Sequence, residues 1–271
     1  MKNQVFDFGR FWNYFKFDLK QMWRNHSKPA LFIGGMGLML YIIWVLFALV
    51  FTGSWHGPVL PARIAIFTVA FTVLELYQTR TYGYLTDKQK GAAWLMIPAS
   101  RTEKFISMLL ITLIVIPVVF LVVFFAVDSI LSLVDPTVGN SILGAAMGGF
   151  QEILGALQSA GSTFVSMSTG TMVSWWLLGL CCNFLYFLLC GICFKRYKIL
   201  GGLGIIFLLS IVLSISLGIS TPSWAENLVY LEETQAVAFV NRTIAIGYCI
   251  LAVVTVGLAV GIYYRIKTLK H

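Results

Sequence analysis

The chain has 271 residues, of which 59% are hydrophobic and 11% are charged, and its formal net charge is +8. A soluble domain carries about a quarter charged residues, so the composition excludes a soluble globular protein and predicts an all-α integral membrane protein. In a soluble protein the positive balance would indicate nucleic acid as a partner. Here we expect none, because membrane proteins accumulate Lys and Arg on their cytoplasmic loops.

The N-terminal segment, residues 1–28, is predicted to form an amphipathic helix. Over residues 5–26 aromatic side chains recur at steps of three and four, whereas the cations fall mostly on another face. This pattern is typical of a helix in the membrane interface, with cations towards anionic lipid headgroups; the alternative is a soluble tail helix. Pro29 is predicted to turn the chain. The apolar stripe comprises Phe8, Trp12, Phe15, Leu19 and Met22.

Residues 29–271 are predicted to form a six-helix transmembrane domain, because six segments approach or exceed the roughly 20 apolar residues that span a bilayer. The third contains Pro117, which predicts a tilt or a kink. Of the 19 Lys and Arg residues, all but Arg63 and Arg242 lie on one side in this scheme. The positive-inside rule therefore places both termini and the central loop, residues 78–104, in the cytoplasm. The predicted spans are 30–51, 62–77, 105–133, 173–194, 200–220 and 243–264.

Two segments are predicted on the outer side. In residues 134–172 apolar side chains repeat at helical spacing, which predicts an amphipathic helix on the outer surface. Residues 221–242 carry three glutamates beside apolar residues and are interpreted as a loop that dips partly into the membrane. The repeat in the first segment comprises Ile142, Ala146, Phe150, Ile153 and Leu157.

The central loop contains a short structured element. Residues 91–97 form an apolar run that Pro98 ends, and Ser100 with Glu103 has the spacing of a capping box that begins a new helix. A structured apolar segment in a cytoplasmic loop indicates a docking site for a partner.

Few ionisable groups lie within the predicted spans. Glu75 is predicted to pair with Arg80 at the inner boundary; the alternative is a substrate-binding or coupling carboxylate. Asn183 is interpreted as an interhelix hydrogen-bonding group, and Asp128 as a carboxylate that reaches water at the outer end. Cys190 and its neighbour three residues on have a redox or metal spacing, but no second pair or His accompanies them. We interpret the cysteines as small buried residues and expect no metal.

No catalytic motif and no nucleotide-binding loop is present in the sequence. We therefore expect no enzymatic activity and no cofactor in this chain. An energised function would need a separate subunit.

The arrangement resembles type-2 ATP-binding-cassette exporter permeases of bacteria. The residue-level similarity lies in Leu85–Phe105, LTDKQKGAAWLMIPASRTEKF, where a short apolar run and a Pro-Ala-Ser-x-x-Glu-Lys stretch lead into the third span. The resemblance implies a permease subunit in the bacterial inner membrane. It also implies that residues 5–26 are a connecting helix and residues 86–97 a coupling helix.

The resemblance further implies two protein partners: a separate ATPase subunit and a second permease copy or paralogue, giving a dimer. One departure is the long outer segment between spans three and four. The alternative is a non-transporting scaffold, immunity or assembly factor; an intramembrane enzyme is disfavoured. Trp94 either contacts the ATPase or anchors the loop at the headgroups. The expected ATPase-coupling residues are Lys88, Lys90, Trp94, Leu95 and Met96.

Overall fold

The computed structural model describes residues 6–148, 169–229 and 233–268, and these ranges contain helices and no strand. Short irregular helices connect or interrupt the α-helices: 3-10 turns at Gly83–Thr86 and Pro136–Val138 and a π turn at Ile111–Val115. The α-helices are α1 Phe8–Gly34, α2 Met36–Thr52, α3 Leu60–Thr81, α4 Lys88–Met96, α5 Arg101–Leu110, α6 Ile116–Val134, α7 from residue 142 to at least 148, α8 Thr169–Cys193, α9 Lys198–Val229 and α10 Glu233–Thr268.

Five helical stretches are long and apolar enough to cross a membrane, so the chain is an all-α, multi-pass membrane protein. The apolar helix α2 has 17 residues and is about 25 Å long, slightly less than the hydrocarbon core. The predicted first span, 30–51, is divided between the end of α1 and α2. The five stretches are Leu60–Thr86, Arg101–Val134, Ser174–Cys193, Lys198–Ile215 and Asn241–Thr268.

The first helix runs without interruption through Pro29 to Gly34, so the prediction that Pro29 turns the chain is wrong. The α1 helix instead follows α5 and α6. Arg10 binds Glu103 at the start of α5, and Gly34 lies against Val123 of α6. Proline removes one hydrogen bond from a helix interior, and contacts along the rest of the helix can offset that loss.

The buried face of α1 differs from the predicted stripe. Phe11, Tyr14, Asp18 and Met22 are buried, and their spacing of three, four and four residues makes one face. Phe15 and Leu19 of the predicted stripe pack against the same core, whereas Phe8 and Trp12 are exposed. The helix therefore turns a polar residue inward, which hydrophobic periodicity does not indicate.

The third span contains a π turn just before Pro117, where a tilt or a kink was predicted. The π turn ends two residues before the proline. In a regular helix the ring of Pro117 would clash with the carbonyl group of residue 113, which lies four residues earlier and within the π turn. Widening that turn accommodates the ring. The span thus consists of α5, the π turn and α6 in one continuous helical path.

The α8 helix packs closely against α3 at Gly191. A Cβ on Gly191 would lie 2.9 Å from the carbonyl carbon of Thr79 and closer still to its oxygen, so only glycine permits this approach. Two apolar clusters flank the contact. One is an aromatic cluster around Phe67 and Phe120, and the other lies towards the end of the molecule where α4 sits.

The second predicted outer segment is more helical than expected. The α9 helix extends to Val229 and α10 begins at Glu233, so the described part of 221–242 is helix rather than loop. In the other segment α7 begins at Ile142, which is buried, while Ala146 is exposed. The predicted contributions of Phe150, Ile153 and Leu157 lie outside the described residues.

Candidate coupling site at the basic end

Three cation-rich segments meet at one end of the molecule, which we call the basic end. Lys198, which follows α8, donates from Nζ to the carbonyl oxygen of Gly83 and to Oγ1 of Thr86. Arg101 donates to the carbonyl oxygen of Lys267 at 2.8 Å. The cation count predicted that these segments share a side, and the contacts bring them together.

The predicted coupling helix exists as α4, Lys88–Met96, and it lies beside the start of α5. The capping box is also confirmed. The backbone N–H of Glu103 donates to Oγ of Ser100 at 3.2 Å, and the backbone N–H of Ser100 donates to Oε2 of Glu103 at 2.8 Å. These local bonds fix the point at which the chain leaves α4 and enters the third span.

Trp94 packs α4 against α1 and α5. Its side chain is 3% exposed, and Nε1 donates to the hydroxyl of Tyr14 on α1 at 3.0 Å. The ammonium of Lys104 lies 4.7 Å from the centre of the indole ring and donates to the carbonyl oxygens of Trp94 and Leu95. The indole is almost entirely buried by α1, α4 and α5, so the ring is not an exposed docking surface in the single chain. The two roles expected for Trp94, contact with an ATPase and anchoring at the headgroups, stay predictions.

Glu103 connects α1 to the same point. Besides the capping bonds, its carboxylate accepts from Arg10 Nε at 2.8 Å and from Arg10 Nη2 at 2.6 Å. The backbone N–H of Asp7 also donates to it, at 3.0 Å. The Glu103 carboxylate is fully buried, whereas the Arg10 side chain keeps 29% of its surface exposed, so solvent still reaches the guanidinium side of these charge-assisted bonds. Sequence reasoning found the capping role of Glu103 and missed its partner 93 residues away.

Asp18 is a buried carboxylate at the junction of α1, α3 and α5. Its Oδ2 accepts from the hydroxyl of Tyr82 at 3.0 Å and from Oγ of Ser107 at 2.7 Å. Burial raises the pKa of Asp18, and the two hydrogen bonds oppose that rise without cancelling it. Sequence reasoning missed this residue, because hydrophobic periodicity marks apolar positions and gives no signal for a buried carboxylate.

The remaining predicted coupling residues divide between the outward surface of α4 and its flanks. Lys88 and Lys90 are exposed, Met96 is 83% exposed, and Leu95 is half-buried against the cluster around Trp94. The two lysines face differently, since Lys90 lines a groove beside α1 and Lys88 does not. Lys88 and Met96 therefore form the outward surface that a partner can reach.

The predicted ion pair between Glu75 and Arg80 is not formed. Glu75 is buried and accepts a long hydrogen bond of 3.4 Å from Nδ2 of Asn183, which confirms the interhelix role predicted for that asparagine. Arg80 is exposed at the end of α3. Residues five apart are rotated by about 140° around a helix, so the two side chains point to different sides.

The opposite end of the molecule contains a buried ion pair. Arg63 Nη2 and Asp128 Oδ1 are 2.6 Å apart, so the prediction that Asp128 reaches water is wrong. The other oxygen of Asp128 accepts from the backbone N–H of Ile142 at 2.6 Å, which ties α6 to the start of α7.

Asp135, at the same end of the molecule, accepts hydrogen bonds from the side chains of Tyr41 and Trp55. Burial alone would raise the pKa of Asp135, but its hydrogen bonds more than offset this and hold the pKa below its usual range.

The described residues contain no group of His, Cys, Asp or Glu side chains that could hold a metal ion. Of the two cysteines with metal-like spacing, Cys190 is buried as expected. Cys193 is exposed, so the expectation of burial is wrong for that residue. Comparison with protein-family models, with curated proteins and with solved structures found no match. The geometry of the basic end is therefore the feature of the molecule that bears most directly on function.

Proposed function

We propose that the chain is the permease subunit of a type-2 ATP-binding-cassette exporter in a bacterial inner membrane. Its energy would come from ATP hydrolysis on a separate subunit. The observation that carries the proposal is the two-sided character of α4. Its inward face is bonded to α1 and α5 through Trp94, and its outward face exposes Lys88 and Met96.

Such a helix can transmit movement because it cannot shift alone. Trp94 joins α4 to α1, and Glu103 joins α1 to the start of the third span. A displacement applied to the outward surface of α4 would therefore reach a membrane-crossing helix through buried hydrogen bonds. This is a continuous physical connection of the kind that coupling between distant sites requires.

In this proposal α2 is the first of six crossings, and both termini lie in the cytoplasm with the basic end. The convergence of the three cation-rich segments at that end supports an even number of crossings. The proposed dimer needs an apolar contact surface, and α9 offers one, since its large apolar side chains from Leu200 to Ile215 are exposed along much of its length. Lipid or a second permease would cover this helix.

The test is purification of the full chain from its host in mild detergent, followed by ATP hydrolysis measurements on the complex. We expect a stoichiometric ATPase subunit whose hydrolysis depends on the permease. Lys88→Glu combined with Met96→Glu should reduce recruitment of that subunit at least tenfold, because interface energy is concentrated in a few central side chains.

The matched control is Met147→Glu. Met147 is 62% exposed on α7, at the opposite end, and its change should leave recruitment unaltered. A purified protein with no bound ATPase would contradict the proposal and favour the scaffold, immunity or assembly role. Equal loss in the two sets of variants would show that the outward surface of α4 is not the docking site.

A further inference from the structure

A groove of about 670 Å³ separates α1 from the end of α3 and from α4. This volume is within the range of about 300–1,000 Å³ typical of small-ligand sites. Its walls combine aromatic and aliphatic surface with amides and cations. The residues that determine its chemistry are Phe17, Gln21, Asn25, Arg80, Lys90 and Ile97.

The charge of the groove favours an anion. Arg80 and Lys90 approach it from α3 and α4, and no carboxylate is among its lining residues. Within the described residues neither cation forms an ion pair with an acidic side chain. The amides of Gln21 and Asn25 on α1 supply further hydrogen-bond donors at the opposite wall.

The position of the groove favours a lipid. Arg80 lies in the last turn of α3, and the apolar stretch that contains it ends at Thr86, so its long side chain can reach the headgroup region of a membrane that this stretch crosses. Phe17 is exposed and Ile97 is half-buried, so the groove also offers apolar contact. Basic pockets at the cytoplasmic ends of membrane helices suit phosphate-bearing headgroups.

We infer that this groove binds the phosphodiester headgroup of an anionic phospholipid between Arg80 and Lys90. The inference goes beyond the proposed permease function and does not require an ATPase. The groove is also separate from the outward surface formed by Lys88 and Met96, since neither residue lines it. A lipid bound there would fill the space between α1 and α4.

The experiment measures binding of short-chain lipids to the purified full chain in an uncharged detergent by titration calorimetry. Dihexanoylphosphatidylglycerol should bind at least tenfold more tightly than dihexanoylphosphatidylcholine, and inorganic phosphate should not displace it. Arg80→Gln combined with Lys90→Gln should weaken phosphatidylglycerol binding about thirtyfold. Lys90→Gln alone changes one exposed side chain and should weaken it about fivefold, which keeps the test valid if the double variant does not fold.

The matched control is Lys16→Gln combined with Lys20→Gln, which removes the same charge from exposed positions on α1 outside the groove. This control should bind as the unmodified protein does. Equal weakening in both double variants would overturn the inference in favour of diffuse attraction, and equally tight phosphate binding would show a site for small anions. Unchanged lipid binding by Arg80→Gln/Lys90→Gln, with loss of a protein partner, would assign the groove to that partner.

Discussion

At the scale of single residues, the basic end depends on side chains that each join two or more elements. Trp94 contacts Tyr14 on α1 and Lys104 on α5, and Glu103 caps α5 while holding Arg10. Each of these side chains is buried in the contact it makes, so its removal leaves both a cavity and unpaired polar atoms. The consequence of a substitution here is loss of stability before any effect on a partner.

Trp94→Ala is therefore expected to lower the free energy of unfolding by about 3–5 kcal/mol, as for other buried aromatic residues. Trp94→Phe keeps most of the ring volume, loses the bond to Tyr14, and should cost about 1–2 kcal/mol. Thermal unfolding in detergent measures both. Met96→Ala, on the exposed side of the same helix, serves as the control and should unfold as the unmodified protein does. An unchanged unfolding temperature for Trp94→Ala would contradict the buried position of the indole.

The buried Asp18 predicts a pH dependence of stability. Because burial raises its pKa above the unfolded value, folding favours the protonated form. The stabilisation is fully present below the unfolded pKa of about 4 and is lost as pH rises through the folded pKa. Asp18→Asn removes this loss, because an amide does not ionise. The two hydroxyls donate to one carboxylate oxygen, and the amide oxygen of asparagine can take its place as the acceptor. We expect Asp18→Asn to unfold at a higher temperature than the unmodified protein at pH 8, with a smaller difference at pH 4.

Asp18→Leu separates this effect from simple packing. Leucine removes the acceptor and leaves the hydroxyls of Tyr82 and Ser107 without it, which should destabilise the protein at every pH by about 1–3 kcal/mol. Equal stability of Asp18→Asn and Asp18→Leu would show that the hydrogen bonds contribute nothing. A larger advantage for Asp18→Asn at pH 4 than at pH 8 would reverse the predicted sign.

At the scale of helices, the packing of α8 on α3 depends on one glycine. Gly191→Ala would place a methyl group against the backbone of Thr79, which cannot rotate away as a side chain can. We expect lower folded yield and a loss of about 1–3 kcal/mol, since overpacking a close contact forces the helices apart.

Gly179→Ala is the control for helix propensity on the same helix. No atom lies within 4 Å of a Cβ built at Gly179, so alanine fits there and should be neutral or stabilising. Folded yield and thermal unfolding of the two variants, measured in the same detergent, test whether the effect of Gly191→Ala comes from the close helix contact or from helix propensity. Equal behaviour of the two variants would contradict the close approach of α3 and α8.

At the scale of the whole molecule, α4 and α7 lie at opposite ends, so the proposed topology makes a direct prediction. In a variant whose five cysteines are replaced by serine, Lys88→Cys should react with an impermeant maleimide only from the cytoplasm. Met147→Cys should react only from the outside. Both positions are exposed, so reactivity reports the side of the membrane rather than burial. Labelling of both positions from the same side would refute the proposed arrangement.

The sequence by itself determined the features that depend on composition and on near neighbours. Long apolar stretches predict membrane-crossing helices, because a chain in hydrocarbon must satisfy its backbone hydrogen bonds within each segment. The capping box at Ser100 was also predictable, since it involves residues three positions apart. The helix α4 was implied by the resemblance to exporter permeases, and its range overlaps most of the expected segment.

The tertiary structure decided which side of each helix is buried and which charges meet. Arg63 and Asp128 are 65 residues apart, and Arg10 and Glu103 are 93 apart, so no local pattern indicates either pair. Glu75 and Arg80 are close in the chain, but the rotation of the helix separates them. Trp94 points inward because Tyr14 and Lys104 supply partners from two other helices. Burial in this protein is a property of packed helices, whereas hydrophobicity is a property of each segment alone.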